Sequence, residues 1–467
     1  MTPEAGAGLP ADTFRAPPRW ATWEVFFVTL VVGAALVLRL HDMELAPPPK
    51  DNWDELAFAW SGLTLITRHV PYSWSFLKAY HPTYLGLNGT TYPLVHPYLD
   101  HPPLFSLLVG GEAWLLGARD LRDVTATMIR PVAVVLSTLS TYLAYVLGRR
   151  VLPRGAALAG AALLATAPVA VLFGRQVESE NLLAPLLLLA LILSHRLLSG
   201  EGSRWALLGL VLCCAAASLT KVPGIAVGMA CGLLLALNGR WRLGLIAGIA
   251  GVAGLALYAA YGALVDWQVF LAVINAQGGR RQGVMGAYEF IVAPAGIGRR
   301  IRDGWWILGW LGVGALLMVR RRPAGLVAGA ALVFTAGIMV LASESLVIRY
   351  GWYRIAVYPL VYLAAGYVCW EALKGEVLPL LATLALGGAA AASFGLAAGT
   401  THEWAPSALF VSAILGMITL PSVVAAVRSD IPMLRNFARA VTGAAVCAIL
   451  VLNLIESLRL AEIYTLI

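Results

Sequence analysis

The stretch His101-Pro102-Pro103-Leu104-Phe105-Ser106-Leu107-Leu108-Val109-Gly110-Gly111-Glu112-Ala113-Trp114-Leu115-Leu116 decides how this chain threads a membrane. Its apolar part is shorter than the roughly 20 residues a helix needs to cross hydrocarbon, and it opens on two prolines that fix the entering backbone. If it crossed, nearly every later arginine cluster would lie outside. If it lies in the plane of the bilayer or re-enters on the outer face, Arg15/Arg19, Arg149/Arg150/Arg154, Arg196/Arg204, Arg240/Arg242, Arg320/Arg321/Arg322 and Arg428/Arg435/Arg439 share one side. The positive-inside rule selects the second reading and makes that side the cytoplasm.

Composition makes lipid the solvent. Of 467 residues, 60% are hydrophobic and 12% charged, and the mean hydropathy is +0.78, more apolar surface than a water-soluble globule of this length can hide. Backbone groups in a bilayer must be satisfied within their own segment, so the sequence predicts an all-α integral membrane protein. Apolar runs of spanning length lie near 22–40, 127–147, 154–172, 182–198, 205–220, 222–237, 243–263, 304–319, 324–342, 353–371, 376–397, 406–427 and 438–458. They give about 13 transmembrane helices in a single domain over residues 1–467. No small-residue cleavage pattern follows the first run, which is expected to stay as an anchor with a cytoplasmic N-terminus. The net charge of +8 sits in short clusters between apolar runs and forms no basic face, so a nucleic-acid partner is not expected. Cys213, Cys214, Cys231, Cys369 and Cys447 all lie in apolar runs and imply no disulfide framework.

This threading gathers on the outer side a long first loop, 41–126, with in-plane amphipathic helices, and with it Gly174 to Asn181, Lys221 with Pro223, and Ser343 to Arg354. A second long external loop, 264–303, carries Arg280, Arg281, Arg299, Arg300 and Arg302 against the charge trend. Such a loop suits an anionic partner, either membrane lipid or a phosphate-bearing substrate.

Within the first loop, Trp53-Asp54-Glu55-Leu56-Ala57-Phe58-Ala59-Trp60 puts paired carboxylates beside the first span. Asn52 can cap a helix from Trp53 with Glu55 three residues on, a capping-box arrangement that would account for both acids structurally. Leu56, Ala59, Trp60, Leu63 and Ile66 recur at helical spacing, so this helix is expected to lie along the membrane surface with its acids at the water boundary. Carboxylates there are costly and often functional. Asn88-Gly89-Thr90 matches a glycosylation sequon, but Asn-Gly is the stronger turn signal. His69, His81, His96 and His101 match no compact metal motif, so no zinc-type site is expected.

Asp54-Glu55, Leu87-Asn88-Gly89, Tyr92 and His101-Pro102-Pro103-Leu104 together resemble the first external loop of polyprenol-dependent glycosyltransferases of the GT-C superfamily, both protein O-mannosyltransferases and lipid A aminoarabinose transferases. The mannosyltransferases carry His-Pro-Pro-Leu, as here. The similarity continues in Gly174-Arg175 with Glu180, in Thr220-Lys221-Val222-Pro223, and in Trp352-Tyr353-Arg354 ahead of Tyr358-Pro359. There are departures: a longer segment between Asn88 and His101, His101 in place of lysine, and Glu180 where aspartate is commoner.

The resemblance implies an inverting enzyme of a bacterial-type plasma membrane that moves a sugar from a polyprenyl-phosphate donor to an acceptor hydroxyl on the outer face. The acceptor can be a glycan, a lipid or a protein. An alcohol is a poor nucleophile, so a carboxylate must take its proton as the new bond forms: Asp54 is the candidate base, with Glu55 orienting it or a substrate hydroxyl. The leaving polyprenyl phosphate gains charge, and Arg175, Lys221 and Arg354 are the cations expected to meet it. Each could instead be a cation at a helix end reaching for the interface. His101, Glu180, Tyr353 and Arg349 are candidate substrate contacts. Glu178 and Glu180 either pair with Arg175 or join Asp54 around sugar hydroxyls or a divalent cation; no cofactor is required. Rival readings are a polytopic transporter or flippase and a polysaccharide polymerase or ligase centred on the later loop.

Overall fold

The structure, a computed structural model, describes the chain except residues 1–18, 50–51, 88, 279–289, 292–295, 298–300, 303, 320–322, 342–351, 389–407, 429 and 466–467. Helices α1 (Thr22–Leu40), α4 (Ala126–Val151), α7 (Glu180–Leu198), α10 (Trp241–Gly278) and Pro432–Leu458 are long and apolar enough to cross a membrane by length and composition. Shorter apolar helices accompany them, among them α5 (Arg154–Thr166), α8 (Arg204–Thr220), α9 (Ile225–Leu237), Gly304–Met318 and Ala324–Leu341. The run near 154–172 is split: Pro168 has no amide hydrogen to continue α5, and a short α6 (Pro168–Phe173) restarts there. Tyr358–Leu373 is the central post, buried almost throughout between α5 and Gly304–Met318. Near the N-terminal end of α1, Glu24 is fully buried and accepts from Tyr145 Oη at 2.6 Å and Arg149 Nε at 2.7 Å, which locks α1 to α4.

The first loop is built differently from the expectation. Helix α2 (Asp54–Arg68) does not lie on a surface as an amphipathic rod, because Ala57 through Thr64 are all buried. It crosses α3 (Pro103–Leu115) backbone to backbone: a Cβ on Gly62 would stand 1.7 Å from the Ser106 carbonyl oxygen. A three-stranded antiparallel sheet, unforeseen in the sequence, closes its other side: β1 (Ser73–Trp74), β2 (Thr83–Leu87) and β3 (Thr90–Val95), ordered β1-β3-β2. Leu87 pairs with Thr90 and Gly89 has φ +76°, so Gly89 sits in the turn that the Asn-Gly pair predicts between β2 and β3. Trp53, Trp60, Trp74 and Tyr92 pack edge-on or tilted between sheet and helix.

The second loop is also shorter than read. Helix α10 runs on to Gly278 past a break at Asp266 (φ −165°, ψ 104°), whose carboxylate accepts the Val269 N–H at 3.0 Å and caps the second half. Phe270 and Val273 of that half are buried, Phe270 against Tyr258, which is why residues 264–278 are helix. Arg280, Arg281, Arg299 and Arg300 lie outside the described residues, as does Arg349. Cys213, Cys214, Cys231 and Cys369 are buried free thiols, and Cys447 is exposed.

Candidate active site

The site forms where the start of α2 meets the 174–179 connection between α6 and α7. Helix α2 begins at Asp54 and the expected capping box does not form: the Asn52 side-chain Oδ1 accepts the Asp54 N–H at 3.2 Å, but Glu55 turns inward. Its buried carboxylate receives Arg130 Nη2 at 2.8 Å and Nε at 3.1 Å, and the Val177 N–H at 3.1 Å. Arg130 Nη1 also donates to the Met43 carbonyl. Glu55 therefore ties α2 to α4, to the 41–49 segment and to the 174–179 connection. Asp54, one position earlier, stays partly exposed.

On one side of Asp54 lies a second acid pair. Asn52 Nδ2 donates to Glu178 Oε1 at 2.9 Å. Burial, followed by the negative charges of Asp54 and Glu180, pushes the Glu178 carboxyl well above the usual range. Glu180 is claimed by Lys221, whose Nζ stands 2.6 Å from Oε1, and Ser179 Oγ donates to its other oxygen at 3.0 Å. Burial opposes the Lys221 charge, but Glu180, the Tyr353 phenol and Glu178 raise its pKa overall. Lys221 Nζ also lies 4.4 Å from the centre of the Tyr353 ring, a cation–π contact that brings the 352–354 turn into the site.

On the other side, Asp100 accepts from Ser75 Oγ at 2.6 Å and Tyr80 Oη at 2.7 Å. Gln277 Nε2 grips the Asp100 carbonyl at 2.7 Å and Tyr258 Oη the Leu99 carbonyl at 2.6 Å, so both halves of α10 hold this strand of loop. The Tyr98 phenol is pushed far up by burial, followed by the negative charges of Asp100 and Asp54. His101 packs its imidazole beside Phe58, ring centres 5.2 Å apart.

The structure thus brings Asp54, Glu180, Lys221 and Tyr353 to one place and gives Glu55 a structural anchor. Arg354 is buried with its guanidinium 5.3 Å from the Trp306 ring centre and 5.5 Å from Phe290. Arg175 does not reach for an interface: fully buried, it donates to the Leu38 carbonyl at 2.6 Å and to Ala46 at 3.4 Å, and burial lowers its pKa to about 10. Sequence reasoning missed Arg130, Asn52 as a bridge, and Gln277. A lone arginine in an apolar run was the only signal for Arg130.

A family model described as dolichyl-phosphate-mannose-protein mannosyltransferase matches residues 100–263. No curated protein matches the sequence. Among solved structures, ArnT from Cupriavidus metallidurans bound to undecaprenyl phosphate aligns with TM-score 0.57 at 16% identity, over 94% of this chain and 77% of that one. The oligosaccharyltransferase AglB from Archaeoglobus fulgidus aligns at 0.47 and 12% identity, over 90% and 56%. The S. cerevisiae protein O-mannosyltransferase Pmt1-Pmt2 complex aligns at 0.40 and 17%, over 55% and 36%. The chain has the ArnT fold, and the family model over residues 100–263 is that of a mannosyltransferase, in line with the expectation of a GT-C-type glycosyltransferase.

Proposed function

We propose that the protein transfers a sugar from a polyprenyl-phosphate donor to an acceptor hydroxyl, in one displacement that inverts the anomeric carbon, at the outer face of a bacterial-type plasma membrane. The observation that carries this reading is Asp54, a partly exposed carboxylate at the start of α2, beside a buried cluster that holds Glu178, Glu180 and the cation Lys221. Asp54 accepts the hydroxyl proton as the oxygen attacks, and the bond from the anomeric carbon to the phosphate oxygen breaks. Lys221 and Arg354, held near Tyr353, face the charge that collects on the departing phosphate. In a poorly hydrated site each is worth more than in water. Lys221 meets the phosphate while still attached to Glu180, and Arg175 acts through the backbone it ties down. Glu180, Tyr353, His101 and Arg349 are assigned to substrate contacts, and no metal ion is required. The ArnT fold, seen there with undecaprenyl phosphate, supports a lipid-phosphate donor entering from the bilayer.

The test is release of polyprenyl phosphate from a polyprenyl-phosphate sugar by purified protein, with the anomeric configuration of the product read by NMR. Asp54→Asn should lower turnover by at least about 100-fold while the thermal unfolding profile stays unchanged. Transfer by the Asp54→Asn variant at the wild-type rate would remove Asp54 as the base, and movement of lipid-linked sugar across vesicles without bond cleavage would favour a flippase.

A further inference from the structure

One buried acid has no part in the transfer so described. Glu178 is 1% exposed and lies two residues before Glu180, yet the lysine goes to Glu180 and not to it. Its Oε1 accepts from the Asn52 amide nitrogen at 2.9 Å, and the oxygen of that same amide holds the Asp54 N–H at 3.2 Å. One side chain thus bridges Glu178 and the first peptide of α2. The charges that face Glu178 come from three elements: Asp54 at the start of α2, Glu180 at the start of α7, and Lys221 at the end of α8.

We propose that Glu178 is a positioning residue for the transfer: through the Asn52 amide it holds the start of α2, and with it Asp54, and the charge state of Glu178 governs how well Asp54 works. The inference rests on the reading of Asp54 as the base. An anionic Glu178 beside Asp54 and Glu180 would add a further negative charge where the lysine is already paired with Glu180, and would repel both its neighbours and an incoming phosphate. With its proton on, Glu178 adds no charge and still accepts from Asn52 through its carbonyl oxygen. Burial and its acidic neighbours favour that form. Glu178 exchanges no atom with substrate; the proton taken from the acceptor goes to Asp54.

Glu178→Gln keeps shape and acceptor but cannot ionise. Wild type should lose activity as pH rises through the ionisation of Glu178. Glu178→Gln should keep neutral-pH turnover within about threefold, keep the acid limb that belongs to Asp54, and lose the alkaline fall. Glu178→Ala and Asn52→Ala, checked for folding by thermal unfolding, should lower kcat about tenfold with donor KM moved by less than about twofold. A Glu178→Gln pH profile that superimposes on wild type, or a folded Glu178→Ala with unchanged kcat, would overturn the proposal. Infrared difference spectra of wild type against Glu178→Gln at neutral pH should show a protonated carboxyl stretch missing from the variant, and its absence from wild type overturns the proposal too. That measurement needs no turnover, so a wild type that transfers nothing defeats the functional reading and leaves the infrared result to judge Glu178.

Discussion

Arg130 and Glu55 form a fully buried, two-pronged ion pair, and removing one partner from such a pair leaves an uncompensated charge in a medium that cannot solvate it. Arg130→Met should therefore destabilise the protein by about 3–5 kcal/mol, read as a lower unfolding temperature in detergent. Replacing both, Arg130→Met with Glu55→Leu, should recover much of that loss. If the single and double variants unfold alike, the pair is not what joins α2 to α4. Asp54, the adjacent residue, owes its exposure to the same arrangement: successive helical residues point about 100° apart, so anchoring Glu55 inward leaves Asp54 facing the cluster edge. From sequence, Asp54 is the candidate base and Glu55 has the task of orienting it or a substrate hydroxyl; what makes Glu55 an anchor is an arginine 75 residues away.

At the scale of elements, the α2–α3 crossing is set by two glycines. A Cβ on Gly62 would meet the Ser106 carbonyl oxygen at 1.7 Å, and one on Gly110 the Leu63 amide nitrogen at 2.1 Å, so the two backbones meet where no side chain fits. Gly62→Ala should cost at least about 1–3 kcal/mol by overpacking. Gly86→Ala, in a strand where nothing stands within 4 Å of the added carbon, should stay within about 0.5 kcal/mol. Equal unfolding temperatures for the two would show that the helices do not cross at Gly62. The hydrophobic spacing of residues 56–66 announced a helix at the right place. It did not announce that the helix would be enclosed, because the sheet that covers it is made of short strands whose pairings, such as Ser73 with Val95, join distant parts of the loop.

At the scale of the molecule, the threading chosen for Leu104–Leu116 makes a whole-protein prediction. With Cys447 replaced by serine, Lys78→Cys in the first loop should react with a membrane-impermeant maleimide on sealed, right-side-out vesicles. Arg240→Cys, between α9 and α10, should react only after the vesicles are opened. Both side chains are exposed, so reactivity reports sidedness and not burial. The reverse pattern would invert the molecule and put Asp54 on the cytoplasmic face.

The sequence by itself determined the solvent, the helical class and where most helices lie, because apolar runs and arginine clusters are local properties that a bilayer reads directly. The family resemblance in it also put Asp54, Glu180, Lys221 and Tyr353 among the wider group of candidate site residues. Only the tertiary structure decided which acid is anchored and which is exposed, that Lys221 is held by Glu180, and that Arg175 and Arg130 serve as ties for backbone and helix. Those outcomes depend on contacts between residues dozens of positions apart, and in a low-dielectric interior a charge takes whichever partner the packing brings within reach.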